Sequence, residues 1–285
     1  MKTRIVLIVV LALVPGPVAS GCGGDDGAGA AAGATKVVAG FYPLAFAAQE
    51  VGGKGVEVAN LTPAGAEPHD LELTPREVEE ILSADLVLYV GGGFQPTFEE
   101  VAAGSDVRAI DVLEGLELRA GDPHVWLDPV VFARIVERIG VELGAESRAG
   151  QLASRLRALD EEFRRGLATC ARRELVTAHD AFGYLAERYD LEPIPITGVS
   201  PEAEPNPGDL EAIADLVDAR GVTTVFVEPL LSPEIGETVA REAGAETAVL
   251  NPLEGLSEDQ LARGEDYVSV MEANLEALRD GLGCS

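Results

Sequence analysis

The chain has 285 residues, 47% hydrophobic and 25% charged, enough apolar material for one large or two ordinary globular domains and not the composition of a disordered chain. Its formal charge is −28, and removing an N-terminal segment whose only charges are Lys2 and Arg4 makes it −30, which argues against a nucleic-acid partner. The excess of acid reads as a strongly solvated surface that mildly concentrates cations near it.

Lys2 and Arg4 lead into an apolar run over 5–14, then Pro15, Gly16, Pro17 and the small-residue stretch Ala19-Ser20-Gly21-Cys22. This is a processing signal, too short to span a membrane stably. Ala19-Ser20-Gly21-Cys22 resembles a bacterial lipobox, whose cysteine becomes the lipidated first residue of the mature protein. Residues 1–21 are then a lipoprotein signal peptide, and Cys22 an anchor to the outer face of the plasma membrane or the periplasmic side. Residues 22–35, rich in Gly and Ala, read as a flexible tether.

From Lys36 onward, short β-branched runs alternate with helical patterns. Strands are predicted over 36–39, 56–61, 86–90 and 107–112, with helices over 43–51, from Pro75 and over 96–103. Thr74-Pro75 supplies an N-cap and a first-turn proline, and Gly52-Gly53 a stop. A helix follows Asp128-Pro129, carrying Val131, Ile135, Ile139 and Leu143 at helical spacing. Next, Leu152, Leu156, Leu159, Phe163 and Leu167 form one apolar stripe along 147–170, with Arg155, Arg157, Asp160, Glu161, Arg164 and Arg165 assigned to the opposite face. Strands over 174–177, 193–197, 223–227 and 247–250 then alternate with helices over 181–189, 209–218, 233–243 and 261–282. The pattern predicts an α/β protein of two lobes, 36–145 and 171–285, each a four-stranded, largely parallel sheet flanked by helices, joined by one long rigid helix over 146–170.

Export permits disulfides, and Cys170 and Cys284 form an even pair, a candidate bridge. Such a bridge ties the chain end to its middle and contributes roughly 4 to 5 kcal/mol in the chain-entropy model. The three histidines carry the chemical signal. His69, His124 and His179 lie in the polar loop contexts Glu67-Pro68-His69-Asp70, Asp122-Pro123-His124-Val125-Trp126-Leu127-Asp128-Pro129 and Thr177-Ala178-His179-Asp180. A single loop histidine is ordinarily a surface hydrogen-bonder. Three sparse ones at strand-end loops, where such sheets collect ligand groups, read as convergent ligands. Neutral imidazoles suit zinc, and a fourth, oxygen ligand would complete a tetrahedron.

With Ala178-His179-Asp180-Ala181-Phe182-Gly183-Tyr184 and Asn251-Pro252-Leu253-Glu254-Gly255-Leu256, these motifs resemble the zinc-binding branch of the metal solute-binding lipoproteins that feed ABC importers. The resemblance runs from Lys36 to the C-terminus. It implies a receptor for Zn2+ as transported ligand, an ABC permease partner and a monomer. It also implies a metal held between the lobes by His69, His124 and His179, with Glu254 as fourth ligand. Asn251 stands at an alternative register for that ligand, and Glu228 reads as a carboxylate that orients a ligand. The histidine-rich acidic loop that family zinc importers often carry has no counterpart here, since 70–123 holds no histidine.

In manganese-binding relatives the third position is an acid, so His179 favours zinc over a harder ion. With three neutral imidazoles and one carboxylate, a zinc site carries formal charge +1. A zinc hydrolase is the competing enzymatic reading, with Asp70 or Asp180 as base, but the chain has neither an H-E-x-x-H helix nor a nucleophile elbow. A metal-dependent adhesin lipoprotein is the other alternative to transport.

Overall fold

The structure, a computed structural model, describes residues 33–119, 121–201 and 205–285. Cys22 and the signal and tether segments before Gly33 lie outside the described residues.

Two four-stranded parallel sheets organise the described chain. In the first, β1 (Thr35–Ala39), β2 (Val56–Asn60), β3 (Leu86–Tyr89) and β4 (Ala109–Asp111) lie in the order β2-β1-β3-β4. In the second, β5 (Glu174–Thr177), β6 (Glu192–Pro195), β7 (Thr224–Val227) and β8 (Glu246–Val249) lie in the order β6-β5-β7-β8. The second sheet thus repeats the first strand for strand.

Parallel strands need long crossovers, and helices supply them. In chain order these are α1 (Tyr42–Gly52), α2 (Pro75–Leu82), α3 (Pro96–Ala103), α4 (Pro129–Glu142), α5 (Glu146–Gly166), α6 (Gly183–Arg188), α7 (Pro207–Ala219), α8 (Glu234–Ala243), α9 (Glu258–Ala262) and α10 (Tyr267–Leu282). Thr74 and Glu77 form a capping box at the start of α2, and Asp128 caps α4 by accepting from the Val130 and Val131 amides.

Alternation along the strands distributes the core. In the first sheet Val37, Ala39, Leu86 and Leu88 face one way, while Val38 and Val87 face the other, against Ile81 of α2 and Phe98 of α3. In the second, Val176 and Val225 pack on α7 and α8, whereas Leu175 and Phe226 turn inward. The inward faces share one apolar cluster with Leu152, Leu156, Leu159 and Phe163 of α5 and with Tyr267, Met271 and Leu278 of α10. This inner cluster therefore runs from one lobe into the other, while each outer sheet face keeps a smaller core of its own.

Three local expectations need correction. Helix α5 ends at Gly166 rather than reaching Cys170, because Gly166 lies against Leu275 and Arg279 of α10 and the chain turns there toward the Cys170–Cys284 disulfide. Asp160 is not on the solvated face of α5 but buried. Its carboxylate accepts from Arg188 Nε and Nη2 at 2.7 and 2.9 Å, from Arg164 Nε at 3.1 Å and from Tyr189 Oη at 3.2 Å. The last predicted helix is two helices, interrupted where Gly264 takes φ +76° and Asp266 opens a fresh capping box with Ser269.

Candidate metal centre

The loops that follow the strand ends bring four side chains together. His69 follows β2, His179 follows β5, Glu254 follows β8, and His124 enters from the long segment after β4. One ligand atom from each lies within 4.8 Å of all the others. Glu254 Oε1 stands 3.0 Å from His124 Nε2, 3.3 Å from His179 Nε2 and 3.5 Å from His69 Nε2. None of these buried atoms has a hydrogen-bond partner among the described residues, a costly arrangement for polar groups that a shared cation would satisfy.

Each of the four side chains is fixed by a different local device. For His124 it is the tight turn Asp122-Pro123-His124: Asp122 Oδ1 accepts from the His124 amide and meets its Nδ1, both at 2.9 Å. For His179 it is sheet register. Thr177 pairs with Phe226, so two residues further along each strand His179 lies beside Glu228. Glu228 Oε1 meets His179 Nδ1 at 2.8 Å and accepts from its amide at 3.2 Å. A carboxylate on Nδ1 holds the proton there and leaves the Nε2 lone pair for the metal.

His69 has a looser mount. Its loop is held through the backbone: Gln95 Nε2 donates to Pro68 O at 3.2 Å, to Gly40 O at 3.1 Å and to Thr62 Oγ1 at 3.1 Å. The Phe94 ring packs edge-on to His69 at 4.5 Å. Glu254 is presented by a turn in which Leu253 takes φ +59°. Asn251 Oδ1 accepts from the Leu253 amide at 2.7 Å, while Asn274 of α10 donates to Asn251 O at 2.7 Å and accepts from its amide at 2.9 Å. Asn251 Oδ1 is thus engaged by the Leu253 amide and shapes the turn that presents Glu254. Trp126 Nε1 donates to Pro252 O at 2.8 Å, tying the His124 turn to the Glu254 turn.

The protein groups polarise one another. Burial alone would raise the Glu254 carboxyl, but the three imidazoles hold it well below the usual carboxylate range. Burial would lower His179, yet Glu228 and Glu254 push it up to about 11, and Asp122 and Glu254 likewise raise His124. Glu67 is pushed up to about 8 by burial and then by the negative charge of Glu254.

Asp122 is part of the His124 motif, but its role emerges from the fold. The two-residue Asp-Pro-His spacing is the signal that would have found it, since an Asp carboxylate readily bonds the backbone two residues on. Gln95, Phe94 and Asn274 had no comparable signal, because their partners lie far along the chain.

Two lobes of matching topology, with one buried three-histidine, one-carboxylate cluster among the loops at their strand ends, define a two-lobed metal-binding protein. The family model for the periplasmic component A of the zinc-uptake complex matches residues 37–281, and the chain belongs to that family. The high-affinity zinc uptake system protein ZnuA of Bacillus subtilis is 34% identical over 278 residues, covering 86% of this chain and 87% of that protein. The zinc-binding lipoprotein AdcA of Streptococcus pneumoniae is 34% identical over 278 residues, of which this chain spans 56% of the full length. Among solved structures, the Zn(II)-bound ZnuA-like domain of that AdcA matches with TM-score 0.77 at 34% identity, covering 88% of this chain and 99% of the other. The laminin-binding protein Lmb of Streptococcus agalactiae, described as bifunctional with adhesin and metal-transporting activity, matches with TM-score 0.80 at 31% identity, covering 87% and 99%.

Proposed function

We propose that this chain is an extracytoplasmic receptor that captures Zn2+ between its lobes and delivers it to an ABC-type permease. The observation that carries this reading is the convergence of three imidazole Nε2 atoms on Glu254, with all four ligand atoms within 4.8 Å. Three neutral nitrogens and one carboxylate favour zinc over a harder cation. His69, His124, His179 and Glu254 bind the ion, while Asp122 and Glu228 set the tautomers of His124 and His179. Cys22 carries the lipid that keeps the receptor at the membrane, and the receptor works as a monomer. Its functional parts are the lobes 36–145 and 171–285 on either side of the connecting segment 146–170.

The common core argues for modest closure on loading, because wide hinge motion would open the cluster built on α5 and α10. Small-angle scattering should give nearly equal dimensions with and without zinc. A large compaction would refute the modest-closure reading.

The deciding test strips the full chain of metal and titrates it with zinc or manganese, following bound metal and thermal stability. One tightly held zinc with little manganese response is the expected result; a manganese-only site would overturn the zinc assignment. The likeness to Lmb raises adhesion as a second reading. Deletion that abolishes zinc uptake but leaves adhesion intact would reject it.

A further inference from the structure

Asp122 uses only one oxygen on His124; the other points away from the metal centre. Oδ2 lies 3.5 Å from Arg119 Nε, an ion-pair contact at a largely buried carboxylate. The far side of the same guanidinium reaches across to α6 in the second lobe, where Arg119 Nη1 donates to Glu187 Oε2 at 2.8 Å. Two more bonds fasten the same loop there. Tyr184 Oη accepts from the Arg119 amide at 2.9 Å and donates to Asp122 O at 3.2 Å.

The approach is close enough to require glycine at the start of α6. A Cβ placed on Gly183 would lie 2.5 Å from Asp122 Oδ2 and 2.7 Å from Arg119 Nε. The loop that orients His124 is thus pressed against the helix that follows His179. The contact is also graded in exposure: the Asp122 side chain is 7% exposed, Arg119 37% and Glu187 69%. A chain of charge therefore leads from a buried zinc ligand to the surface.

We propose that Arg119 is a positioning residue for zinc retention. Through Asp122 it holds the His124 imidazole in place, and through Glu187 it fastens that loop to the lobe carrying His179. This rests on the zinc-receptor reading above. Without the guanidinium, Asp122 Oδ2 loses the cation that stands 3.5 Å away, the carboxylate can turn, and His124 Nδ1 loses its fixed acceptor. Because the outer half of the chain is in solvent, its hold on the ion should weaken with salt, whereas the buried imidazole–carboxylate contacts should not.

The test measures zinc release from the full chain into an excess of a chromophoric chelator at low and high ionic strength. Arg119→Met should speed release about tenfold, the lower end of what outer partners of metal ligands contribute. Arg119→Lys should restore much of the slow rate, because it returns a cation to Asp122. Glu187→Gln should speed release about threefold, the scale of an exposed ion pair. Wild-type release should accelerate with salt, and that acceleration should be absent from Arg119→Met and Glu187→Gln.

An Arg119→Met protein that loads zinc and releases it at the wild-type rate would overturn the proposal while leaving the receptor reading intact. Failure of the wild type to hold zinc at all would remove both. Should Arg119→Met fail to fold, Glu187→Gln decides: unchanged salt dependence in that variant overturns the proposal.

Discussion

His124 and His179 are mounted differently from His69. The first two have fully buried side chains, each with Nδ1 against a carboxylate, Asp122 or Glu228. The His69 side chain is 5% exposed and is positioned through its backbone by Gln95 and by the ring of Phe94. The contrast separates a fixed half of the site, His124 and His179 gripped from both lobes, from a looser ligand on a surface loop. In the proposed zinc receptor, His69 should then engage last on entry and leave first on release.

The most severe way to probe this contrast is to remove a clamped imidazole. At free zinc 1,000 times the dissociation constant the wild type should gain about 4 kcal/mol of stability. His124→Ala and His179→Ala should lose nearly all of that gain in thermal melts with and without zinc. His69→Ala should keep a measurable part of the zinc-dependent shift, since water can reach the vacated position; equal losses in all three variants would erase the distinction. Weakening the clamps alone is the next step down. Asp122→Asn and Glu228→Gln should each lower zinc affinity about 10- to 100-fold in chelator competition while the fold persists.

The gentlest probe is pH. Glu228 and Glu254 push His179 up to about 11, against 6.5 for an ordinary histidine. Its raised value stabilises the metal-free fold fully below pH 6.5, and that contribution is lost as pH rises toward about 11. Glu254 runs the other way: its contribution is present above the ordinary 4.5 and lost as pH falls through its depressed value. Zinc bound at His179 should displace its proton, so binding near neutral pH should release about one proton or more, and affinity should fall as the solution is acidified. Calorimetry in two buffers of different ionisation enthalpy reads the proton count, and Glu228→Gln should reduce it.

Much of this was legible in the sequence because it is local. Continuous apolar runs such as Val37-Val38 and Leu86-Val87-Leu88 mark strands buried on both faces, and the Leu152-to-Phe163 spacing marks the buried stripe of α5. The four loop motifs likewise put His69, His124, His179 and Glu254 in view. Hidden were the polar partnerships formed only by folding. Asp160 reads as a solvated helix residue until Arg188, 28 positions away, reaches it. Gln95 reads as a loop residue until it is found supporting the backbone beneath His69. The break before α10 was masked because the apolar pattern continues past Gly264, and only the glycine and the following capping box interrupt the helix. The Glu228 clamp is intermediate: its chemistry was visible, but its partner depends on the register of β5 against β7.

The single tryptophan of the chain stands inside this arrangement. Trp126 is 1% exposed, its ring centre is 5.1 Å from that of His124, its indole N–H is bonded to the Glu254 turn, and its carbonyl accepts from Tyr267 Oη at 2.5 Å. A cation held at His124 would change the charge beside the indole, to which indole emission responds. The molecule thus contains its own optical gauge of loading: one fluorophore, against one ligand and bonded to the turn of another, whose brightness should track site occupancy without any label.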